Sequence, residues 1–197
     1  MVALLHPAPL WKPPRSGEVV LWHGCLQRDA DAIVASPTGI DPTNGRWDAD
    51  FGRGFYTTSF QVQAQQWAWR KHINVATPTA ADRPVVIRFT VPRDELAALN
   101  SLAFVAAGTR SSDYWSLVQH CRQSDAGKGV LNDHRHPDTG RGGWYDMVSG
   151  PVAAFWRQCV AINESDQFSF HTPQGCDVLN RLIPKGPPAF EVIPVGP

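Results

Sequence analysis

The stretch DADFGRGFYTTSFQVQAQQWAWR, from Asp48 to Arg70, decides how the rest of the chain is read. Gly52 and Gly54 flank Arg53 and supply the unusual backbone angles of a sharp turn. Phe55 to Ser59 is aromatic and β-branched, which predicts a short strand. From Gln61 to His72 no breaker interrupts a run of good helix formers, which predicts a helix. A Gly-x-Gly turn set directly before a strand brings Tyr56 beside bare backbone. Tyrosine offers a flat face for stacking and a hydroxyl handle. Asp50-Phe51-Gly52 has the letters of a kinase DFG, but the chain carries no HRD, no Gly-rich loop after a strand and no VAIK-like lysine.

Outward from this stretch, Glu18 to Gly24 (EVVLWHG) predicts a strand that ends His23-Gly24, and Leu26 to Ala35 has helical spacing. Val85 to Val91 (VVIRFTV) predicts a strand closed by Pro92. Helices are expected at Arg93–Leu102 and at Ser112–Arg122, the latter capped by Ser112 or Asp113. Ser124 to Gly143 reads as a long polar loop. Trp144–Ser149, Gln167–His171 and Ala189–Val195 read as strands, with a short helix over Cys176–Leu182. Residues 1–17 form a Pro-rich arm, and 18–197 a single domain. Strands and helices mix without a βαβ rhythm, so the expected class is α+β.

Composition bounds the function. The 197 residues hold 18 basic and 18 acidic side chains, a balance that does not suit a strongly basic nucleic-acid binder. Seventeen prolines and sixteen glycines point to many turns. The four cysteines show no CxxC spacing and follow no secretory signal, so free thiols in a cytoplasmic setting are expected. No segment approaches the ~18 uninterrupted apolar residues of a membrane helix. No GxSxG appears and no cysteine is matched to a partner, which leaves a serine or cysteine hydrolase unsupported. His120, Cys121, Asp133, His134 and His136 match no standard zinc spacing. They read as a solvated polar loop lying over a binding cleft, and no metal site is expected.

LWHG at Leu21–Gly24, FGRGFYTT at Phe51–Thr58 and the alanine-containing, glutamine-rich helix that follows resemble, in combination, the NAD-binding core of the ADP-ribosyltransferase superfamily, in its poly-ADP-ribose polymerase and diphtheria-toxin-like branch. The chain is similar in particular to a bacterial family of that superfamily that pairs HG with DFGxGFYxT and later carries DxVxGP and QxxFHT. Here these read YDMVSGPVA (Tyr145–Ala153) and DQFSFHT (Asp166–Thr172), so the likeness spans roughly residues 18–182.

The resemblance implies two packed, mostly antiparallel sheets with flanking helices around an NAD cleft. His23 would take the first catalytic position and bond the adenosine-side ribose. Gly24 would hold the nicotinamide amide through its backbone N–H and C=O. Tyr56 would take the second catalytic position and stack on the nicotinamide ring. Trp67, eleven residues further on, would be a second stacking aromatic. Gly54 would shape the turn, and Thr57, with Thr58 and Ser59, would support the strand or contact ribose. Arg53 would meet the pyrophosphate by charge-assisted pairing.

The third catalytic position departs from the pattern: Gln167 stands where the transferases carry glutamate. Glutamine can bond the ribose but cannot act as a general base, a role worth about 10²–10⁴ in rate. Glu164 or Asp166 is the candidate assisting carboxylate. Asp146 is expected to brace the turn before Gly150-Pro151.

The implied reaction is cleavage of NAD at the nicotinamide–ribose bond through an oxocarbenium-like ribose, followed by transfer of ADP-ribose to an unknown macromolecular acceptor. The implied setting is a bacterial toxin, an effector or a toxin–antitoxin component that acts in the cytoplasm, its own or that of a target cell, with a cognate antitoxin or immunity protein as partner. Two alternatives stay open: an NAD glycohydrolase, and a non-catalytic protein that binds NAD or a partner.

Overall fold

The computed structural model describes residues 17–105, 112–123, 133–134 and 143–196. All of the Pro-rich arm but Gly17, and most of the loop expected at 124–143, lie outside the described residues. The class is mixed α+β, as the irregular order of elements predicts.

Strand β1 (Glu18–Leu26) and β9 (Phe190–Pro194) flank β3 (Pro84–Pro92) in an antiparallel three-stranded sheet. The apolar run of β3 reflects its place, because Val85, Val86, Ile87, Phe89 and Val91 are all fully buried. A strand covered on both faces reads as continuous rather than alternating. Helix α2 (Gln61–Ile73) lies on one face of this sheet, against β1 and β3.

The second sheet runs β2 (Phe55–Thr57), β8 (Gln167–Phe170), β5 (Met147–Gly150), β4 (Ser101–Ala103), with β4 parallel to β5 and the other pairs antiparallel. A small hairpin, β6 (Ala153–Phe155) and β7 (Val160–Ala161), follows it in the chain. The sheets meet at one seam: Trp22 N–H donates to Thr58 O at 2.7 Å and Thr58 N–H to Trp22 O at 2.8 Å.

Two cores result. The first joins Leu21, Cys25, Ile87 and Phe89 to Met147, Phe170 and Leu179, between the sheets and α5 (Pro173–Asn180). The second joins Phe51, Tyr114, Trp115, Val118, Val148 and Ala153, where α4 (Ser112–Arg122) covers the other face of the second sheet. Period-two alternation divides β8 between them. Phe168 and Phe170 face the first core, and Gln167 and Ser169 the second side.

Helix α1 (Gln27–Ala35) forms close to its expected place. The helix expected over Arg93–Leu102 does not. Helix α3 stops at Ala97 (Arg93–Ala97) and the chain turns into β4. Long-range bonding wins over local propensity here. Asn100 N–H donates to Asp146 Oδ2 at 3.0 Å, and Asp146 N–H to Asn100 O at 2.8 Å, which draws the segment alongside β5. Asp146 thus braces this junction, and Thr172 at the N-cap of α5, rather than the Gly150-Pro151 turn. The cap of α4 lies outside the described residues, since Ser112 is already its first residue. All four cysteines are free, and burial pushes the thiols of Cys25, Cys121 and Cys176 up to about 12, so they stay protonated and inert.

Candidate functional site

The seam places His23 and Gly24 next to the strand that carries Tyr56. On β1, residues bond alternately to β3 and outward. Trp22 spends both backbone groups outward on Thr58, so Gly24, two residues on, presents its own N–H and C=O along the same edge. Among the described residues that pair has no backbone partner. Glycine is required at this position for packing as well. A Cβ on Gly24 would fall 2.0 Å from Ala64 O and 2.9 Å from Ala68 N, both in the backbone of α2.

His23 Nδ1 lies 2.6 Å from Tyr56 O. A carbonyl can only accept, so Nδ1 carries the proton and Nε2 is left as an acceptor. The ring stacks on Phe55, with centroids 4.3 Å apart. Burial, helped by the charge of Lys71, pulls the His23 imidazole down from 6.5 to about 3, so it is neutral near pH 7.

Tyr56 is turned away from Phe55, as consecutive strand residues are. Its hydroxyl accepts from Phe51 N–H at 3.0 Å and donates to Gly52 O at 2.6 Å. Burial raises its pKa well above the ordinary value, which removes it as an acid or base and leaves the ring face. The imidazole and the tyrosine ring are thus joined through backbone but do not face each other.

The turn between them is fixed from several sides. Gly52 adopts φ +78°. His134 Nε2 donates to Phe51 O, and His171 Nδ1 to Arg53 O, each at 2.8 Å. Gly54 sits so close to His171 that a Cβ would lie 2.7 Å from Nδ1. His134 is therefore buried, 7% exposed, and accepts at Nδ1 from Tyr145 N–H. This corrects the expectation of a solvated loop residue: His134 is a brace of the FGRG turn. His136 lies outside the described residues, and among the described residues no His, Cys, Asp and Glu cluster of three is arranged for a metal.

Arg53 extends from the turn. Its guanidinium lies 4.2 Å from the centre of the Trp47 ring, and its buried Nε has no partner among the described residues. Thr57 Oγ1 donates to Phe168 O, so its hydroxyl serves strand pairing. Trp67 lies on α2, three residues beyond Ala64, and is 43% exposed.

Gln167 is 7% exposed and locked. Its Nε2 donates to Asp50 Oδ2 at 2.7 Å and to Pro151 O at 2.8 Å. Asp50, 3% exposed, also receives Ala153 N–H on Oδ2 and Arg122 Nε, at 2.7 Å, on Oδ1. Asp166 is engaged by Thr58 Oγ1, Ser59 Oγ and Ser59 N–H, so it is a clamp on the strand end and not a free carboxylate. Glu164 stands at φ +53° in the preceding turn. Asp50, Arg122 and His171 went unnoticed as site residues. Arg122 does leave a trace in the sequence, for it continues the buried α4 stripe Trp115-Val118 at helical spacing, where a charge needs a buried partner.

Two surface hollows among the described residues lie elsewhere. One of about 380 Å³ is bounded by α3 and α5, and one of about 370 Å³ lies along Ala154–Gln158.

Residues 19–180 match the family model described as Protein of unknown function (DUF3990). The chain belongs to this family. The matched span runs from β1 to the end of α5 and includes His23, Gly24, the 50–56 turn and Gln167, while β9 falls outside it. A search of curated proteins finds no match.

Buried neutral histidines give this site a pH signature. His23 and His171 are both pulled down to about 3, chiefly by burial, and His134 is shifted the same way. Between pH 6.5 and 3 the unfolded chain binds protons at these rings and the folded chain does not, so stability falls as pH drops. At pH 5 each of the two costs about 2 kcal/mol relative to pH 7.5. Asp41, Asp48 and Asp82, held low chiefly by hydrogen bonds, act below about pH 4 and leave this window to the histidines. Thermal melts should show a fall of about 10 °C from pH 7.5 to 5.0. A flat profile would show that these rings titrate freely.

Proposed function

We infer that the protein is an NAD-dependent ADP-ribosyltransferase, with the two-sheet arrangement of that superfamily. The observation that carries this reading is the free backbone pair of Gly24 beside a neutral His23. A primary carboxamide brings one acceptor and two donors, and a single residue's N–H and C=O on an unpaired strand edge complement it. The nicotinamide of NAD is such an amide. Tyr56, stripped of acid–base character by burial and by its bonds to the turn, offers a ring face. Arg53, with an unpartnered Nε, offers charge for the pyrophosphate.

In this reaction the nicotinamide–ribose bond breaks, the electron pair leaves with neutral nicotinamide, and the acceptor attacks the oxocarbenium-like anomeric carbon. His23 Nε2 accepts from a ribose hydroxyl and needs no change of protonation. The acceptor is a macromolecule in the cytoplasm where the protein acts, and a cognate antitoxin or immunity protein restrains it. That setting rests on the sequence resemblance.

Purified protein with NAD and cell lysate is expected to release nicotinamide, and His23→Ala and Tyr56→Ala to lower the rate at least ~10²-fold. Release without lysate would point to the glycohydrolase or to automodification, and labelled ADP-ribose retained on the protein would identify the latter. The engagement of Asp166 and the uncharged Gln167 favour a second reading, a protein that binds NAD without turning it over. Saturable binding with no release under any condition would establish that one. Neither binding nor release would sink the NAD reading.

A further inference from the structure

We propose that Asp50 is a positioning residue. It holds the amide nitrogen of Gln167 inward, so that Gln167 presents its carbonyl oxygen, and no donor, to a hydroxyl of the bound ligand. The proposal rests on the NAD reading, in which that hydroxyl belongs to the nicotinamide-side ribose.

The two groups that receive Gln167 Nε2, the Asp50 carboxylate and the Pro151 carbonyl, have no proton to give. Neither can donate to Oε1 instead, so the amide has one permitted orientation. Both amide protons are spent inside. Oε1 has no partner among the described residues, and it is not one of the side-chain atoms there that are closed off from solvent without a hydrogen bond. The small open part of Gln167 therefore includes this oxygen.

Asp50 is fixed in turn. Arg122 grips Oδ1, and Ala153 N–H shares Oδ2 with Gln167. The carboxylate sits behind the amide and polarises it, adding negative charge to the exposed oxygen. The result is an acceptor with the hydrogen-bond polarity of a carboxylate, although the side chain is glutamine. Gln167 lies on the face of β8 that also carries Ser169, the cross-strand partner of Tyr56.

Asp50→Asn keeps an acceptor for Arg122 and replaces Oδ2 by an NH₂ group that opposes the Gln167 amide. The amide then turns over and presents donors. Gln167→Met removes the acceptor at similar volume.

The experiment has two parts. In the wild type, side-chain ¹⁵N–H exchange by NMR should find both Gln167 amide protons protected at least 10²-fold. Ordinary exchange there would overturn the proposal without any variant. In the second part, NAD and an analogue lacking the 2′-hydroxyl of the nicotinamide-side ribose are compared by calorimetric binding and nicotinamide release. Wild type should favour NAD about tenfold or more, and Asp50→Asn and Gln167→Met threefold or less. Folded variants that keep the full preference would overturn the proposal and leave the NAD reading intact. A wild type that binds no NAD would fell both.

Discussion

A Gly24→Ala variant is expected to melt about 10 °C below the wild type and to lose NAD binding. The added methyl has no free volume. Its carbon would lie 2.0 Å from Ala64 O and 2.9 Å from Ala68 N, and both atoms belong to helix backbone that cannot rotate away as a side chain would. Helix α2 must lift from β1, or β1 must shift along its seam with Thr58. Overpacking of this kind costs about 3 kcal/mol, which for a chain of this size is about 6–12 °C. The seam carries the edge on which Gly24 presents its N–H and C=O, so the same displacement spoils the carboxamide contact. Gly143 serves as the control, because nothing lies within 4 Å of a Cβ there. Gly143→Ala should melt within 2 °C of wild type. A Gly24→Ala protein as stable as the wild type would mean that α2 does not rest on β1 at this point.

Sequence reading succeeds where a pattern is local. The two-sided apolar run of β3, the unbroken α2 and the His-Gly strand are local patterns, and each forms within about two residues of its expected bounds. Reading failed where distant residues decide local structure. Nothing in Arg93–Leu102 reports that Asp146 will capture Asn100 and turn a helical segment into a strand. Nor does the short hairpin β6–β7 carry a strong alternation. At the site, His23, Gly24 and Tyr56 were named from one compound motif, whereas the network behind Gln167 escaped. Asp50 was dismissed along with a kinase-like trio. Its partners Arg122 and Gln167 lie 72 and 117 positions away, a separation no periodic pattern spans. The sequence marks Gln167 only as a third catalytic residue without a general base's charge, whereas the fold makes it one end of a buried chain of bonds.

That chain of bonds underlies the other large effect. Arg122→Ala is expected to lower stability by about 3–5 kcal/mol, or roughly 10 °C or more. Asp50 is 3% exposed and its countercharge comes from Arg122, whose side chain is 26% exposed. Truncation leaves the carboxylate in the second core beside Phe51 and Tyr114, with only Ala153 N–H and the Gln167 amide to stabilise it. An uncompensated buried charge, not the lost attraction, sets the size of the loss. A double-mutant cycle separates the two. If the stranded charge dominates, Asp50→Asn combined with Arg122→Ala will be more stable than Arg122→Ala alone by about 2 kcal/mol, despite having one more substitution. Simple additivity in the cycle would assign the stability to packing of the Arg122 stem against α4 and the turn. The charge of Asp50 would then matter only for how Gln167 is held.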